Sequence, residues 1–149
     1  MDEDSLVELW DRLKSVERFT FEARSGEGSL TGWNGVATGS VDVLCQIPGT
    51  IIYKEVCQFV PENGETMQLK NTYEWQQVSG MIRLSHARRV DRQHLVDIRE
   101  VEEGCFTGEP HLCGKDYYHL RVKMLEDKIE VIWSIEGPRK NERICYVYQ

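Results

Sequence analysis

The fold is decided by one stretch of sequence, Lys115-Asp116-Tyr117-Tyr118-His119-Leu120-Arg121-Val122-Lys123-Met124-Leu125-Glu126-Asp127-Lys128-Ile129-Glu130-Val131-Ile132-Trp133-Ser134-Ile135-Glu136. Apolar and polar residues alternate on both sides of the polar break Glu126-Asp127. A period of two places neighbouring side chains on opposite faces of a β-strand. Because the break is short, the two strands must run antiparallel. The stretch therefore predicts a β-hairpin with one apolar face.

The same alternation continues through most of the chain. Nine strands are predicted in all, at about Arg18–Arg24, Trp33–Cys45, Thr50–Val60, Gln68–Val78, Met81–Arg88, Gln93–Val101, Lys115–Leu125, Lys128–Glu136 and Arg143–Tyr148. Short turn signals separate them, among them Pro48-Gly49, Ser79-Gly80 and the hairpin tip 88–92. An open sheet of this size would leave long exposed edges, and closure removes them. We predict an all-β fold, an up-and-down antiparallel β-barrel of eight to ten strands.

Only the N-terminal segment has helical periodicity. Its apolar residues recur at spacings of three and four, at Leu6, Leu9, Trp10, Leu13 and Val16. Ser5 and Glu8 have the spacing of a capping box. We predict one short helix over about residues 5–16, covering one end of the barrel, and a single domain over residues 1–149.

Composition excludes several classes of protein. The chain has 149 residues, 40% of them hydrophobic, a formal charge of −7 and five cysteines. The apolar content argues against disorder, and no apolar run is long enough to span a membrane. The acidic balance gives no general attraction to nucleic acid or anionic lipid. We expect a cytoplasmic monomer or homodimer with free thiols and no secretory signal, binding neither nucleic acid nor membrane.

Several ionisable side chains share the parity of apolar neighbours. Glu55 falls in the series Ile51, Tyr53, Glu55, Cys57, Phe59, and Asp116 precedes the apolar face of its own strand. His86 and His94 have the parity of apolar residues in their strands. Burying such a group without a partner costs several kcal/mol, so these residues must meet each other, water or a ligand. With the aromatic residues Tyr118 and Trp133, we take Tyr53, Glu55, His86 and His94 as candidate ligand-binding residues.

The segment 104–116 is the richest in reactive side chains. Cys113 could act as a nucleophile with His111 as base and Asp116 as orienting acid, since residues two apart on a strand face the same way. A zinc site could use the same residues with Cys105, but the Cys-x-x-Cys spacing of structural zinc sites is absent and no metal is expected. The alternative is a loop that closes the barrel mouth.

Two further segments have structural and functional interpretations. Small residues alternate with Trp33 in Gly32-Trp33-Asn34-Gly35-Val36-Ala37-Thr38-Gly39, which either bends the strand or leaves room for a ligand, and we favour curvature. Arg139 and Lys140 follow Gly137-Pro138 in a turn at the barrel rim. They could bind a carboxylate or phosphate, or simply form a solvated turn.

The C-terminal motifs resemble those of a known family. His111-x-Cys113-x-x-Asp116-x-Tyr118, the block Gly137-Pro138-Arg139-Lys140 and the closing Tyr146-x-Tyr148 look like the signature of small bacterial and fungal proteins of unknown function with a lipocalin-like, calycin-type barrel. Tyr53-Lys54-Glu55 is similar to that family's Tyr-basic-Glu strand. The resemblance covers about Phe19 to Tyr148 and implies a barrel with a shared polar set of Glu55, His111, Asp116, Arg139 and Lys140, and no established activity. The family pattern continues Asp-Tyr after Lys140, where this chain has Asn141-Glu142.

A second resemblance is to nitrobindin-type haem barrels. Their Gly-x-Trp-x-Gly-x-Gly start is similar to Gly32-Trp33-Asn34-Gly35. Their proximal histidine lies near the C-terminus, whereas this chain has none after His119. No cofactor is therefore expected, with haem as the one alternative.

These observations favour a non-enzymatic binder of one small, partly apolar ligand, with an anionic group met by Arg139 or Lys140. The sequence has no P-loop, dinucleotide-binding glycine pattern or Gly-x-Ser-x-Gly elbow. Two alternatives stay open besides haem binding. One is a small-molecule enzyme that uses Cys113, His111 and Asp116, and the other is an interaction module in which Tyr53, Trp75, Tyr118 and Trp133 fill the lumen.

Overall fold

A computed structural model describes residues 3–30, 32–87 and 91–149. One helix, α1 (Glu3–Lys14), precedes a run of strands. The strands are β1 (Arg18–Ser25), β2 (Gly35–Leu44), β3 (Thr50–Pro61), β4 (Met67–Val78), β5 (Met81–Ala87), β6 (Arg92–Glu102), β7 (Cys105–Thr107), β8 (His111–Cys113), β9 (Asp116–Met124), β10 (Ile129–Glu136) and β11 (Asn141–Tyr148).

The strands form a closed antiparallel barrel. Strands β1 to β7 pair in sequence order, β7 pairs with β9, and β9, β10 and β11 continue the wall. Pairing of Phe19 with Tyr148 and of Phe21 with Tyr146 joins β1 to β11 and closes the ring. The result is a ten-stranded barrel, with β8 as an additional strand against β9. The predicted all-β, up-and-down barrel is confirmed.

The nine predicted strands all form, with bounds within two residues of those expected. The alternative that the segment 104–116 is a loop holds only in part, because the segment contains two short strands that were not predicted, β7 and β8. Both lie along the same edge of β9, opposite Lys123 to Arg121 and then Tyr118 to Asp116. Strands of three residues are too short to show alternation. Ala87 pairs with Arg92 as expected of a hairpin, and residues 88–90 of its predicted tip lie outside the described residues.

Helix α1 closes one end of the barrel. Leu9 and Leu13 are fully buried, and the hydroxyl of Tyr53 donates a 2.5 Å hydrogen bond to the carbonyl oxygen of Leu13. Nη2 of Arg12 donates to the carbonyl oxygens of Leu125 at 2.5 Å and Lys128 at 2.9 Å. The helix begins at Glu3, so Ser5 lies inside it and the predicted capping box is wrong. No helix in the described part of the chain is long and apolar enough to cross a membrane.

The barrel interior is filled at the helix end. Its closely packed side chains include Ile51, Trp75, Ile82, Ile98 and Val122, each at most 1% exposed. Two glycines of β2 let this wall curve tightly. A Cβ at Gly35 would lie 2.4 Å from the carbonyl oxygen of Val60, and one at Gly39 would lie 2.4 Å from that of Val56. Backbone and aromatic rings fill the space beside these glycines, which agrees with the interpretation as curvature.

Candidate ligand-binding site at the barrel mouth

The end of the barrel opposite α1, called the mouth here, contains two adjoining pockets of about 240 Å³ and about 180 Å³. They share four lining side chains, Tyr73, Ile135, Ile144 and Tyr146, and together form what we call the mouth cavity. The larger pocket is completed by Phe21, Ala23, Trp33, Leu69, Asn71, Lys140 and Glu142. The smaller is completed by His86, Gln93, Leu95, Tyr118 and Trp133. A mostly apolar lining with a few polar groups is typical of small-molecule sites.

The floor of the mouth cavity is formed by two tyrosines from facing strands. Tyr73 lies on β4 and Tyr146 on β11, and the hydroxyl of Tyr146 donates a hydrogen bond to that of Tyr73. Burial raises the pKa of both hydroxyl groups, and the nearby Glu55 carboxylate contributes to each increase. Both tyrosines therefore stay neutral at physiological pH, and their ring surfaces face the cavity.

Glu55 lies inside the barrel, near the two floor tyrosines. Its side chain is 3% exposed, and Oε2 accepts a 2.6 Å hydrogen bond from the hydroxyl of Tyr148. Oε1 is buried and has no hydrogen-bond partner among the residues that the structure describes. Burial raises the pKa of Glu55 to about 7, and the Tyr148 hydrogen bond partly opposes that increase. Among the described residues no lysine, arginine or histidine forms an ion pair with it.

Glu55 faces inward because side chains alternate between the two faces of β3 and Glu55 has the parity of the buried residues. It shares the interior face of β3 with Ile51, Tyr53 and Phe59, each at most 1% exposed. Tyr53, another sequence candidate, is instead part of the filled end. Its hydroxyl is bonded to the helix, and burial raises its pKa well above the usual value. The structure thus places Glu55 near the cavity and Tyr53 below it.

Of the two candidate histidines, only His86 lines the mouth cavity, where its ring lies 5.3 Å from that of Tyr73. The prediction that His94 points inward is wrong. The β5–β6 ladder shifts register at Ser85, so that His94 pairs with Ser85 on the outer face while Gln93 pairs with His86. A β-bulge adds one residue to a strand and reverses the parity beyond it. Gln93 and Leu95 consequently line the cavity instead of His94.

A seam separates β6 from β8 in the barrel wall. In the described part of the chain no backbone ladder joins these two strands, and side chains bridge them instead. The amide nitrogen of Gln93 donates to Sγ of Cys113, and the rings of His94 and His111 lie 4.4 Å apart. Nε2 of His94 is 3.0 Å from Oδ1 of Asp97. Burial and the neighbouring His94 lower the pKa of His111.

The three candidate catalytic residues have three different partners. His111 and Cys113 pair with Tyr118 and Asp116 on β9, so they share a face as expected. Cys113 nevertheless contacts Gln93, His111 contacts His94, and Asp116 lies 3.5 Å from Nζ of Lys140. Within the described residues no hydrogen bond connects Cys113, His111 and Asp116 to one another. The structure thus brings these three residues into one region of the barrel, but their described contacts do not form a nucleophile–base pair.

The two cations of the rim turn are placed differently. Lys140 lines the larger pocket, where its ammonium group faces the Asp116 carboxylate. Arg139 is exposed and lines neither pocket of the mouth cavity, and its carbonyl oxygen accepts a 2.9 Å hydrogen bond from the Leu30 amide. Only Lys140 is therefore available to a ligand inside the mouth cavity.

Sequence reasoning missed five polar residues of the mouth cavity: Asn71, Tyr73, Gln93, Glu142 and Tyr146. Tyr73 has the parity of Leu69 and Trp75, and that pattern could have identified it. Glu142 lies before the predicted start of its strand, so its parity was not considered. It is 6% exposed, and its two oxygens accept 2.9 Å hydrogen bonds from the hydroxyls of Ser25 and Ser29.

The mouth cavity does not fit a haem group. Even taken together, pockets of about 240 Å³ and about 180 Å³ lie at the lower end of the range of about 300–1,000 Å³ that drug-sized ligands occupy, and a tetrapyrrole is larger than most of these ligands. Among the described residues no cluster of three or more His, Cys, Asp or Glu side chains is arranged to hold a metal ion.

Comparison with known proteins gives a family and no activity. A model of a family of unknown function, DUF6314, matches residues 15–149, which includes every strand of the barrel. Neither the curated proteins nor the solved structures gave a match to this chain. The chain, a closed antiparallel β-barrel with one short helix, belongs to the DUF6314 family of unknown function.

Proposed function

We propose that the protein binds one small, partly apolar molecule in the mouth cavity. The observation that carries this proposal is the contrast between the two ends of the lumen. Side chains at most 1% exposed fill the lumen at the helix end, where a pocket of about 630 Å³ lies on the surface among mostly exposed side chains of α1 and the β9–β10 turn. The opposite end of the lumen has two adjoining pockets. Protein interiors are normally packed without large voids, so a lined cavity that opens at a barrel mouth suits a ligand.

The lining supports a ligand with an apolar body and a few polar atoms. Aromatic and aliphatic side chains form most of the surface, including Trp33, Trp133 and Ile144. His86, Gln93 and Asn71 place hydrogen-bonding groups at separate points around it. Small closed barrels of similar strand number hold single ligands in this way. Because the barrel is closed and has a cavity at one end, we also propose that it is lipocalin-like. A cytoplasmic location is proposed as well, since all five cysteines are free thiols.

Two other functions receive less support. An enzyme using Cys113 would need His111 within hydrogen-bond reach, and these side chains have other partners here. A filled interaction module would need Tyr118 and Trp133 to pack the lumen, whereas both line the smaller pocket. Tyr53 and Trp75, the other two residues of that alternative, are buried and do pack inside the barrel.

The test uses N-phenyl-1-naphthylamine, a neutral fluorescent probe of apolar cavities. We expect saturable fluorescence enhancement with one probe per chain. Replacing Ile144, which lines both pockets, in Ile144→Trp should fill the cavity and abolish the enhancement. Ile132→Trp is the matched control. Ile132 lies on the face of β10 opposite to Trp133 and Ile135, which line the cavity, so this variant should leave probe binding unchanged.

Native mass spectrometry of freshly purified protein gives an independent readout. A mass excess that disappears on denaturation would identify the molecule carried, and Ile144→Trp should reduce its occupancy. Absence of probe enhancement in the unmodified protein would contradict the proposal. Equal enhancement in the Ile144→Trp and Ile132→Trp variants would also contradict it, because the probe would then bind elsewhere.

A further inference from the structure

The charges around the mouth cavity are predominantly negative. Glu142 lines the larger pocket, Asp116 lies at the rim, and Glu55 lies near the floor tyrosines. Lys140 is the one lysine or arginine among the described lining residues, and its ammonium group is 3.5 Å from Asp116. The Lys140–Asp116 pair is close to neutral, which leaves the two glutamates without a compensating cation.

We infer that the molecule held in the mouth cavity is an organic cation, such as a protonated amine with an apolar body, and that Glu55 is its counter-charge. This inference rests on the proposed function and assigns the chemical class of its ligand. It reverses the expectation from sequence that Arg139 or Lys140 meets an anionic group. Arg139 is exposed outside both pockets, and Lys140 already faces a carboxylate.

The strongest support is the buried carboxylate itself. Glu55 is 3% exposed, and its Oε1 atom has no hydrogen-bond partner although Oε2 has one. Burying a carboxylate without a partner is costly, and an oxygen left unsatisfied adds to that cost. A cation bound nearby would offset the cost of the buried charge. Glu74, which is also buried, shows the usual solution, because its Oε2 lies 2.8 Å from Nε of Arg92.

The aromatic floor is suited to a cation. Tyr73 and Tyr146 line the mouth cavity, and the Glu55 carboxylate is close enough to interact electrostatically with both hydroxyl groups. Glu55 also pairs across β3 and β4 with Asn71, which lines the larger pocket. Aromatic faces attract ammonium groups through the ring quadrupole, and more strongly where water is excluded. The cation would lie against the two rings, in the field of the nearby Glu55 carboxylate.

Three probes of similar shape separate charge from shape: 2-phenylethylamine, 2-phenylethanol and 3-phenylpropionate. Displacement of N-phenyl-1-naphthylamine at pH 8 gives their affinities. We expect the amine to bind at least about tenfold more tightly than the alcohol, the lower end of measured couplings between close charge pairs. The propionate should bind least, because Glu55 and Glu142 repel it.

Glu55→Gln removes the charge and keeps the shape of the side chain. It should bring the amine and the alcohol to within about threefold of each other, since the amine then loses its ion-pair term. Glu22→Gln is the control for net charge, because Glu22 is exposed on the outer face of β1. It should leave the preference for the amine intact. Unchanged binding of N-phenyl-1-naphthylamine shows that each variant keeps its cavity.

The pH dependence gives a test without any variant. Between pH 6 and pH 8 ionisation of Glu55, with a pKa of about 7, should increase the affinity for 2-phenylethylamine about tenfold. The titratable groups that face Glu55 or the cavity are Tyr53, Cys57, Tyr73, Tyr118, Tyr146, Tyr148, His86, Lys140 and Glu142. Burial raises the pKa of the tyrosines and of Cys57, so these groups stay neutral over this range. His86 could give a change of the same sign.

The Glu55→Gln variant separates these contributions, because only an effect of His86 survives in it. Loss of the pH dependence in this variant supports the inference. Equal affinities for the amine and the alcohol in the unmodified protein would overturn it and leave the proposed function standing. An amine preference that persists in Glu55→Gln would also overturn it. Failure of N-phenyl-1-naphthylamine to bind would instead overturn the proposed function.

Discussion

The hydroxyl of Tyr148 donates a 2.6 Å hydrogen bond to Oε2 of Glu55 inside the barrel. The two residues come from β11 and β3, and their strands are separated in the wall by β1 and β2. The bond therefore crosses the lumen instead of running along the sheet. Because both groups are buried, burial raises the pKa of each, and the proximity of Glu55 further raises that of Tyr148.

The free energy of unfolding should depend on pH through Glu55. The folded protein holds the Glu55 proton up to about pH 7, whereas the unfolded chain loses it near the ordinary value of 4.5. A proton bound more tightly in the folded state stabilises it fully below the unfolded pKa, and this stabilisation is lost as the pH rises toward 7. The loss should amount to about 3 kcal/mol. Urea unfolding of the wild type and of Glu55→Gln at pH 4.5 and pH 8 measures it.

The Glu55→Gln variant should lack this component, since its side chain cannot ionise. Its stability relative to the wild type should therefore increase between the two pH values. Parallel stability curves for the two proteins would show that Glu55 titrates as an exposed glutamate does.

Removing the Tyr148 hydroxyl should destabilise the barrel. In Tyr148→Phe both oxygens of Glu55 would be buried without a partner, because Oε1 has none already. An unsatisfied buried acceptor costs about 1–3 kcal/mol, so we expect a loss of this size by chemical unfolding. Tyr117→Phe is the control, since Tyr117 is 51% exposed and should change stability little. Equal stabilities of the two variants would show that the Tyr148–Glu55 bond contributes nothing.

Gly108, which lies between β7 and β8, should not tolerate replacement by a residue with a side chain. A Cβ there would lie 1.8 Å from the carbonyl oxygen of Asp97, which belongs to β6 and cannot rotate away. We expect Gly108→Ala to lose about 1–3 kcal/mol of stability, the usual cost of overpacking. A Cβ at Gly26 meets only the movable side chain of Asn141, so Gly26→Ala should cost less. Comparing the thermal midpoints of the two variants tests the difference.

Arg12 should anchor the helix to the barrel. Its guanidinium group donates to two carbonyl oxygens that flank the β9–β10 turn. Hydrogen bonds from charged groups contribute about 1.5–3 kcal/mol, so Arg12→Ala should lower the free energy of unfolding by about this amount. Lys14→Ala removes an exposed cation that lies 3.9 Å from Asp11 and should have little effect. Similar losses in both variants would assign the effect to helix propensity or net charge.

The fold was predictable because alternation extends over most strands. One face of β9 is apolar from Tyr118 to Met124 and one face of β10 is apolar throughout, and a register error would expose both. The segment around His111 was not predictable, since β7 and β8 depend on pairing with β9 and not on their own pattern. The prediction that His94 points inward was wrong for a related reason. A β-bulge inserts a residue without a distinctive local sequence, and it moved Gln93 into the lumen.

The candidate site was predicted in part. Parity identified Glu55, His86, Tyr118 and Trp133, which the structure places in or near the mouth cavity. Parity could not show that Lys140 faces Asp116, because a turn brings them together across β9 and β10. Nor could it show that Oε1 of Glu55 has no partner, which depends on side chains from several strands.

The ionisation of Glu55 tests the central claim most directly, namely that an uncompensated carboxylate lies beneath a cavity for an organic cation. The side-chain carboxyl carbon of Glu55 can be followed by NMR as a function of pH, with and without saturating 2-phenylethylamine. We predict a midpoint near pH 7 for the free protein. Bound amine should lower that midpoint, because a nearby cation favours the carboxylate. A midpoint near 4.5, or one that the amine leaves unchanged, would contradict this account.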